Sequence, residues 1–312
     1  MLQNRNFINS IKSKDIGSAV ALGVCGACFV IFGGFFPLNF TLFFAALPLF
    51  ISYLSRGEKS GLISSVVFSI IIGIFCPMEV SLDVFLNIIL PASIIGYFSI
   101  KYITKNKKNW WYPESFLLRH FVIISLVSVI LMSLTFYTEN HMIKVYEEAT
   151  KIILKSDTPE TRLLSKYFSS FVKYSVGVSV FSKMLVTVSN LQIAHLICKK
   201  KKMCIRPDFK MLDLSISNWA AVLPIGSLAV AQIFPSVSFI FSGIFVVGLF
   251  APMINGFSIL HFFAHKKQKR SILTVVYISL FIFPIPVILL TVLLGIVDSF
   301  YSVRLIIGKT PN

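Results

Sequence analysis

Charge is what this sequence has least of. Only 13% of its 312 residues are Asp, Glu, Lys or Arg, against 56% hydrophobic. A soluble chain of this length carries about twice that share of charges, so a soluble globular fold is excluded. Acidic residues are the scarcer sign, 13 against 29 basic, for a net charge of +16. Residues that carry chemistry are scarce too. The five histidines, His120, His141, His195, His261 and His265, form no HExxH or comparable ligand spacing, so no metal is expected. There is no GxSxG, no phosphate-cradling glycine loop and no carboxylate pair near a nucleophile. These absences argue against an enzyme, and no cofactor is implied. Five cysteines are an odd count without framework spacing. Cys25 and Cys28 form a CxxC inside an apolar run and read as small buried residues.

What the chain has in quantity is apolar runs separated by short basic breaks. In a bilayer each run must close its own backbone hydrogen bonds as a helix, because lipid offers no partners. The runs reach or approach the ~20 residues that span a hydrocarbon core. The expected fold is therefore all-α, a polytopic transmembrane helical bundle. Nine spans are expected, over 16–36, 38–54, 62–75, 79–100, 115–137, 174–197, 219–234, 237–263 and 272–297, with eight or ten also compatible with the charges. The whole of 1–312 reads as a single membrane domain, with a five-span half at 15–137 and the C-terminal spans at 174–307. Between them, 138–173 is polar, and Met142, Val145, Tyr146, Ala149, Ile152 and Ile153 form an apolar stripe at helical spacing. Amphipathic helices on the outer surface are expected there. The basic lead has no small-residue cleavage site and reads as the start of a retained first helix.

Most cations fall in alternate breaks, as the positive-inside rule requires. Arg56 and Lys59 in the turn of the first hairpin, and Lys199, Lys200, Lys201 and Lys202 after the sixth span, read as topology anchors on the cytoplasmic side. The N-terminus is then cytoplasmic too. Gly57 and Gly61 are expected to permit the hairpin turn by tolerating unusual φ. The lipid bilayer is the expected partner, its anionic headgroups attracting these clusters. No stacking aromatics or recognition module supports nucleic acid as a partner.

Polar groups at membrane depth are costly and need a reason. Lys183 lies sixteen residues before Lys199, which places it roughly 24 Å from the basic boundary at 1.5 Å per residue. It shares a helical row with Ser179, Thr187 and Asn190, while Glu79, Asp83 and Asn87 share one face of the fourth span at similar depth. One reading pairs Lys183 with Asp83 or Glu79 around an outward-facing polar cavity that binds a solute. The other has Lys183 snorkelling to headgroups while Asp83 caps its helix. Ala19, Gly23 and Ala27 form a small-residue row on the first span, beside Gly17, Ala21 and Cys25. Such rows admit another backbone, either within the chain or from a partner subunit. Asn255 and Gln232 are explained by hydrogen bonds between helices, and Asp298 and Arg304 by fixing the last helix at an interface.

The opening hairpin, with Leu47-Pro48-Leu49, Arg56-Gly57 and Gly61-Leu62, resembles the first hairpin of the bacterial YybS-like membrane family (domain of unknown function 2232). The ending Gly295-x-x-Asp298-x-Phe300-x-x-x-Arg304 is similar to that family's ending. The N-terminal half is also similar in style to the S-components of energy-coupling-factor transporters. That resemblance implies a bacterial inner-membrane subunit that binds a small solute and works with transporter ATPases or other membrane subunits. It also implies that the Ala19, Gly23 and Ala27 row docks a coupling subunit. The alternative is a non-transporting scaffold or regulatory partner in envelope assembly or signalling.

Overall fold

A computed structural model describes residues 13–33, 40–105, 108–135, 143–145, 148, 171–209, 214–269, 271–301 and 303–304. Within these the regular structure is helical apart from one short β-hairpin. Seven stretches are long and apolar enough to cross a bilayer: Asp15–Gly33, Glu58–Phe75, Met78–Ser99, Glu114–Leu134, Ser175–Lys200, Pro235–Lys266 and Pro284–Tyr301. Three shorter apolar helices, Thr41–Arg56, Asn218–Ile233 and Ser271–Ile282, accompany them. The amphipathic segment expected over 138–173 lies almost wholly outside the described residues. The chain divides into two compact units interleaved in sequence, Met1–Ser125 with Ser182–Phe209, and Leu126–Phe181 with Lys210–Asn312.

The first unit holds α1 (Ser13–Gly33), α2 (Leu47–Arg56), α3 (Glu58–Phe75), α4 (Met78–Val84) and α5 (Leu90–Ser99). It also takes the start of α6 (Glu114–Leu134) and most of α7 (Ser175–Lys200). Gly57, with φ of 90°, makes the α2–α3 turn, a conformation that favours glycine. Gly61 is not part of that turn. It lies inside α3, and the space of its missing side chain is filled by the Tyr53 ring. Gly96 of α5 yields to the same ring, a Cβ there falling 2.5 Å from it. Tyr53 is fully buried, so α2, α3 and α5 close around one aromatic side chain.

Hydroxyls bind the same helices. Ser64 Oγ donates to Ser52 Oγ at 2.8 Å and lies 2.7 Å from the Ala19 carbonyl, and Ser52 and Ser60 hydroxyls stand 2.9 Å apart. On α1, Ala19, Gly23 and Ala27 are buried, and a Cβ on Gly23 would meet the Ser64 carbonyl of α3 at 2.5 Å. The row is thus filled from within the chain and leaves no face for a partner subunit. Gly17, Ala21 and Cys25, the neighbouring row, are exposed, so Cys25 is not the buried residue expected.

The break after the fourth span is an antiparallel hairpin, β1 (Tyr102–Lys105) with β2 (Lys108–Trp111), registered Tyr102↔Trp111 and Ile103↔Trp110. Aromatic and β-branched residues suit a pleated ribbon, and the Tyr102 and Trp111 rings lie 5.0 Å apart.

The second unit holds α8 (Asn218–Ile233), α9 (Ser238–Gly248), α10 (Phe250–Lys266), α11 (Ser271–Ile282) and α12 (Pro284–Tyr301). Pro252 cannot donate to the Gly248 carbonyl one turn earlier, and the helix breaks at Leu249 between α9 and α10. The final run, expected as one span, divides at Phe283 into α11 and α12 because Pro284 and Pro286 interrupt the ladder. No residue of α11 is buried, which suits an all-apolar helix facing lipid. In contrast α10 and α12 touch backbone to backbone: a Cβ on Gly256 would overlap the Thr291 carbonyl, and one on Gly295 the Pro252 carbonyl. Gly295→Ala is therefore expected to lower stability by about 1–3 kcal/mol. Gly226→Ala, with open space at its Cβ, is expected to be neutral. Thermal unfolding of the two variants in detergent measures the difference.

Candidate functional site

The candidate site is built where a helix departs from regular geometry. Pro91, at the start of α5, has no N–H to give the Asn87 carbonyl. The preceding segment Phe85–Ile89 forms a π turn, closed by the Leu90 N–H on the Phe85 carbonyl. Such turns carry one extra residue and are frequent at functional sites. Asp83 stands just before it and Asn87 within it, and Asn87 Nδ2 donates to Asp83 Oδ1 at 2.8 Å. From α7, Lys183 Nζ donates to both Asp83 oxygens, at 2.5 and 2.7 Å. The ammonium is thus held by a carboxylate instead of reaching for headgroups. Asp83 sits in the last turn of α4 and caps nothing, since Pro77 holds that helix's N-cap position. Glu79 lies exposed in the first turn of α4, one turn before Asp83.

Below Lys183 on α7, Thr187 and Asn190 are 1% and 0% exposed. Asn190 Nδ2 donates to the Phe43 carbonyl at 2.6 Å, an acceptor set free by the 3-10 turn Phe40–Phe44. Asn190 Oδ1 and Thr187 Oγ1 have no hydrogen-bond partner among the described residues. Buried polar atoms are rarely left so. The side chains of Lys183 and Asp83 keep 21% and 18% of their surface. The pair is therefore shielded yet reachable, with two unsatisfied oxygens on the same helix face.

The sequence profile described as a predicted membrane protein (DUF2232) matches residues 25–299, most of the chain. The chain belongs to the DUF2232 family. No curated protein and no solved structure matches it. Family membership brings membrane residence and no activity, so any function rests on the chemistry of the side chains.

Two further polar clusters stand apart from this site. In the second unit, Asn255 of α10 donates to the Gly295 carbonyl and to Asp298 Oδ2, both at 3.2 Å. Arg304 Nη2 donates to Asn255 Oδ1 at 2.9 Å and Ser258 Oγ at 3.1 Å. Asp298 and Arg304, expected at an interface, instead join Asn255 in one latch that ties α12 to α10.

At the basic end of the first unit, Arg206 is 4% exposed. It donates to the Ser99 and Tyr112 carbonyls at 3.0 Å and to Glu114 Oε1 at 2.7 Å. Burial pulls its guanidinium below the usual value, with Glu114 opposing. Lys101 pairs with Glu58 beside it. In the sequence Arg206 is only one cation of a basic break. Its burial depends on contacts 92 to 107 residues away, which no local pattern signals. Arg56, Lys59, Lys199, Lys200, Lys201 and Lys202 lie at this same end, all of them exposed.

Breaking the Lys183–Asp83 pair from one side strands a largely buried charge. Lys183→Met or Asp83→Leu alone is expected to cost about 1–3 kcal/mol, less than a fully sealed pair would. The double variant is expected to recover most of that loss. Chemical or thermal denaturation of the four proteins checks the cycle, and simply additive losses would contradict coupling.

Proposed function

We propose that this DUF2232 protein is the solute-binding membrane subunit of a transporter, its site formed by Lys183, Asp83, Asn87, Thr187 and Asn190. The observation that carries the reading is the Lys183–Asp83 pair, kept one-fifth exposed at membrane depth. As a stability device such a pair is poor, because well-packed apolar residues do as well or better. Its value lies in exchange. The hydrogen bonds of the Lys183 ammonium go to one carboxylate, so a ligand carboxylate and a ligand ammonium can replace the two halves together. A small zwitterion is the solute class that fits. Thr187 Oγ1 and Asn190 Oδ1 then accept from its remaining donors.

The chain has no nucleotide-binding motif, so energy comes from separate ATPase subunits on this reading. Similarity in style to the S-components of energy-coupling-factor transporters supports the same division of labour. With the Ala19, Gly23 and Ala27 row filled by α3, the exposed Gly17, Ala21 and Cys25 row is the face of α1 left for a coupling subunit. The setting is a bacterial cytoplasmic membrane with the N-terminus inside, in keeping with the alternation of basic breaks along the sequence.

The test is direct binding. The purified chain in lipid nanodiscs is screened by native mass spectrometry and thermal shift against amino acids and other small zwitterions. Wild type is expected to bind one class, with Lys183→Met and Asp83→Asn each weakening it at least about tenfold, the scale of one lost charge-assisted hydrogen bond. Equal binding by wild type and the Lys183→Met/Asp83→Leu double variant would overturn the assignment.

A further inference from the structure

The basic end of α7 carries a second arrangement of reactive groups, separate from Lys183. His195 is 4% exposed in the last turns of the helix. Its Nε2 lies 3.1 Å from Asp208 Oδ1 and its Nδ1 lies 3.4 Å from Cys204 Sγ. Phe209 packs edge-on against the imidazole, with centroids 5.0 Å apart. Asp208 also accepts from Lys199 Nζ at 2.5 Å. Lys199 first, and His195 second, hold the Asp208 carboxyl below its usual value. An ionised Asp208 takes the Nε2–H, which leaves the Nδ1 lone pair facing the thiol. Nucleophile, base and orienting carboxylate stand in the order that nucleophilic catalysis requires.

We propose that Cys204 is a base-activated nucleophile that accepts an acyl group from an acyl thioester whose leaving group carries phosphate. Burial pushes the Cys204 thiol up, with Arg206 and Lys199 opposing, so the sulfur is protonated at neutral pH and needs a base beside it. His195 is that base. The loop bearing Cys204 is fixed from both flanks: the Met203 N–H donates to the Cys198 carbonyl on one side, and on the other the Ile205 N–H donates to the Leu54 carbonyl and Arg206 grips Ser99, Tyr112 and Glu114. Such anchoring holds a reacting group to its geometry. Cys204 itself is half-buried, reachable but not loose. Exposed Lys200, Lys201 and Lys202 stand between it and the span, an electropositive rim suited to a phosphate-bearing leaving group. The end of an apolar helix is also where an acyl chain meets lipid.

The step is balanced without an oxidant. Cys204 gives its proton to His195 Nδ1 as the sulfur attacks the thioester carbonyl carbon. The bond from that carbon to the departing sulfur breaks, and the imidazolium returns the proton to the leaving thiolate. The products are S-acyl-Cys204 and a free thiol.

Decanoyl-coenzyme A serves as the probe, incubated with the full chain in lipid nanodiscs and followed by intact mass and peptide mapping. One hydroxylamine-labile decanoyl adduct is expected on Cys204, absent from Cys204→Ser. His195→Gln is expected to slow its formation at least about tenfold, the low end for loss of a general base, and Asp208→Asn to slow it several-fold. Asp208 is 64% exposed, so its variant keeps the fold even where replacing buried His195 does not. Iodoacetamide labelling gives a second readout, with Cys76 of the same molecule as reference. Both variants should slow Cys204 and leave Cys76 unchanged. No adduct, an adduct spread over the cysteines, or a Cys204 rate indifferent to Asp208→Asn would each overturn the proposal.

Discussion

Helices in a bilayer gain nothing by hiding apolar surface from apolar lipid, so they must be joined by close approach and by hydrogen bonds. That constraint accounts for where this chain spends its small and hydroxylated residues. Gly61 and Gly96 flank Tyr53, and Gly256 and Gly295 bring α10 and α12 into backbone contact. Gly177 of α7 and Gly243 of α9 do the same, a Cβ on the first falling 2.6 Å from the carbonyl of the second. Ser52, Ser60 and Ser64 add a hydroxyl chain between α2 and α3 that extends to α1. Long apolar side chains are left to face outward, and α11 has no buried residue at all.

Charges buried by this packing fall into two kinds, told apart by where their donors go. Arg206 spends its guanidinium on two backbone carbonyls and a carboxylate drawn from two separate stretches of the first unit. Backbone carbonyls cannot move aside for a ligand, so Arg206 is a clamp. Lys183 places its bonds on one side chain, and that side chain keeps some solvent contact. A partner of that kind can be exchanged. The contrast separates a residue that holds the fold from one that can serve a ligand, although both are basic and both are buried more than their type usually is.

Much of this is legible in the sequence, and the exceptions have physical causes. Helical class and apolar runs follow from hydropathy alone, because lipid leaves the backbone so few options. The depth of Lys183 can be read from its distance to the lysine cluster, and its helical row from spacing. Its choice of Asp83 over Glu79 cannot, since the two share a face one turn apart and the choice depends on the height at which α4 meets α7. Pro91 is the one local signal for the irregular turn, and the expected regular span ignores it. Gly61 is expected in a turn because glycine's backbone freedom is visible in sequence, whereas a ring from another helix is not. His195, Cys204 and Asp208 match no motif, because a loop that folds back on its own helix brings them together at unrelated spacings.

The π turn at Phe85–Ile89 has a consequence for how the Lys183–Asp83 site could be inherited or lost. An α-helix advances ~100° per residue, so one extra residue rotates everything before it by about that angle relative to everything after. The face of α5 that carries Gly96 is fixed by its packing on Tyr53. Asp83 meets Lys183 only because the inserted residue turns α4 through that angle. The site is therefore encoded by helix length as well as by side-chain identity. A chain that kept both Lys183 and Asp83 but lost one residue between 85 and 89 would carry the same letters without the same site.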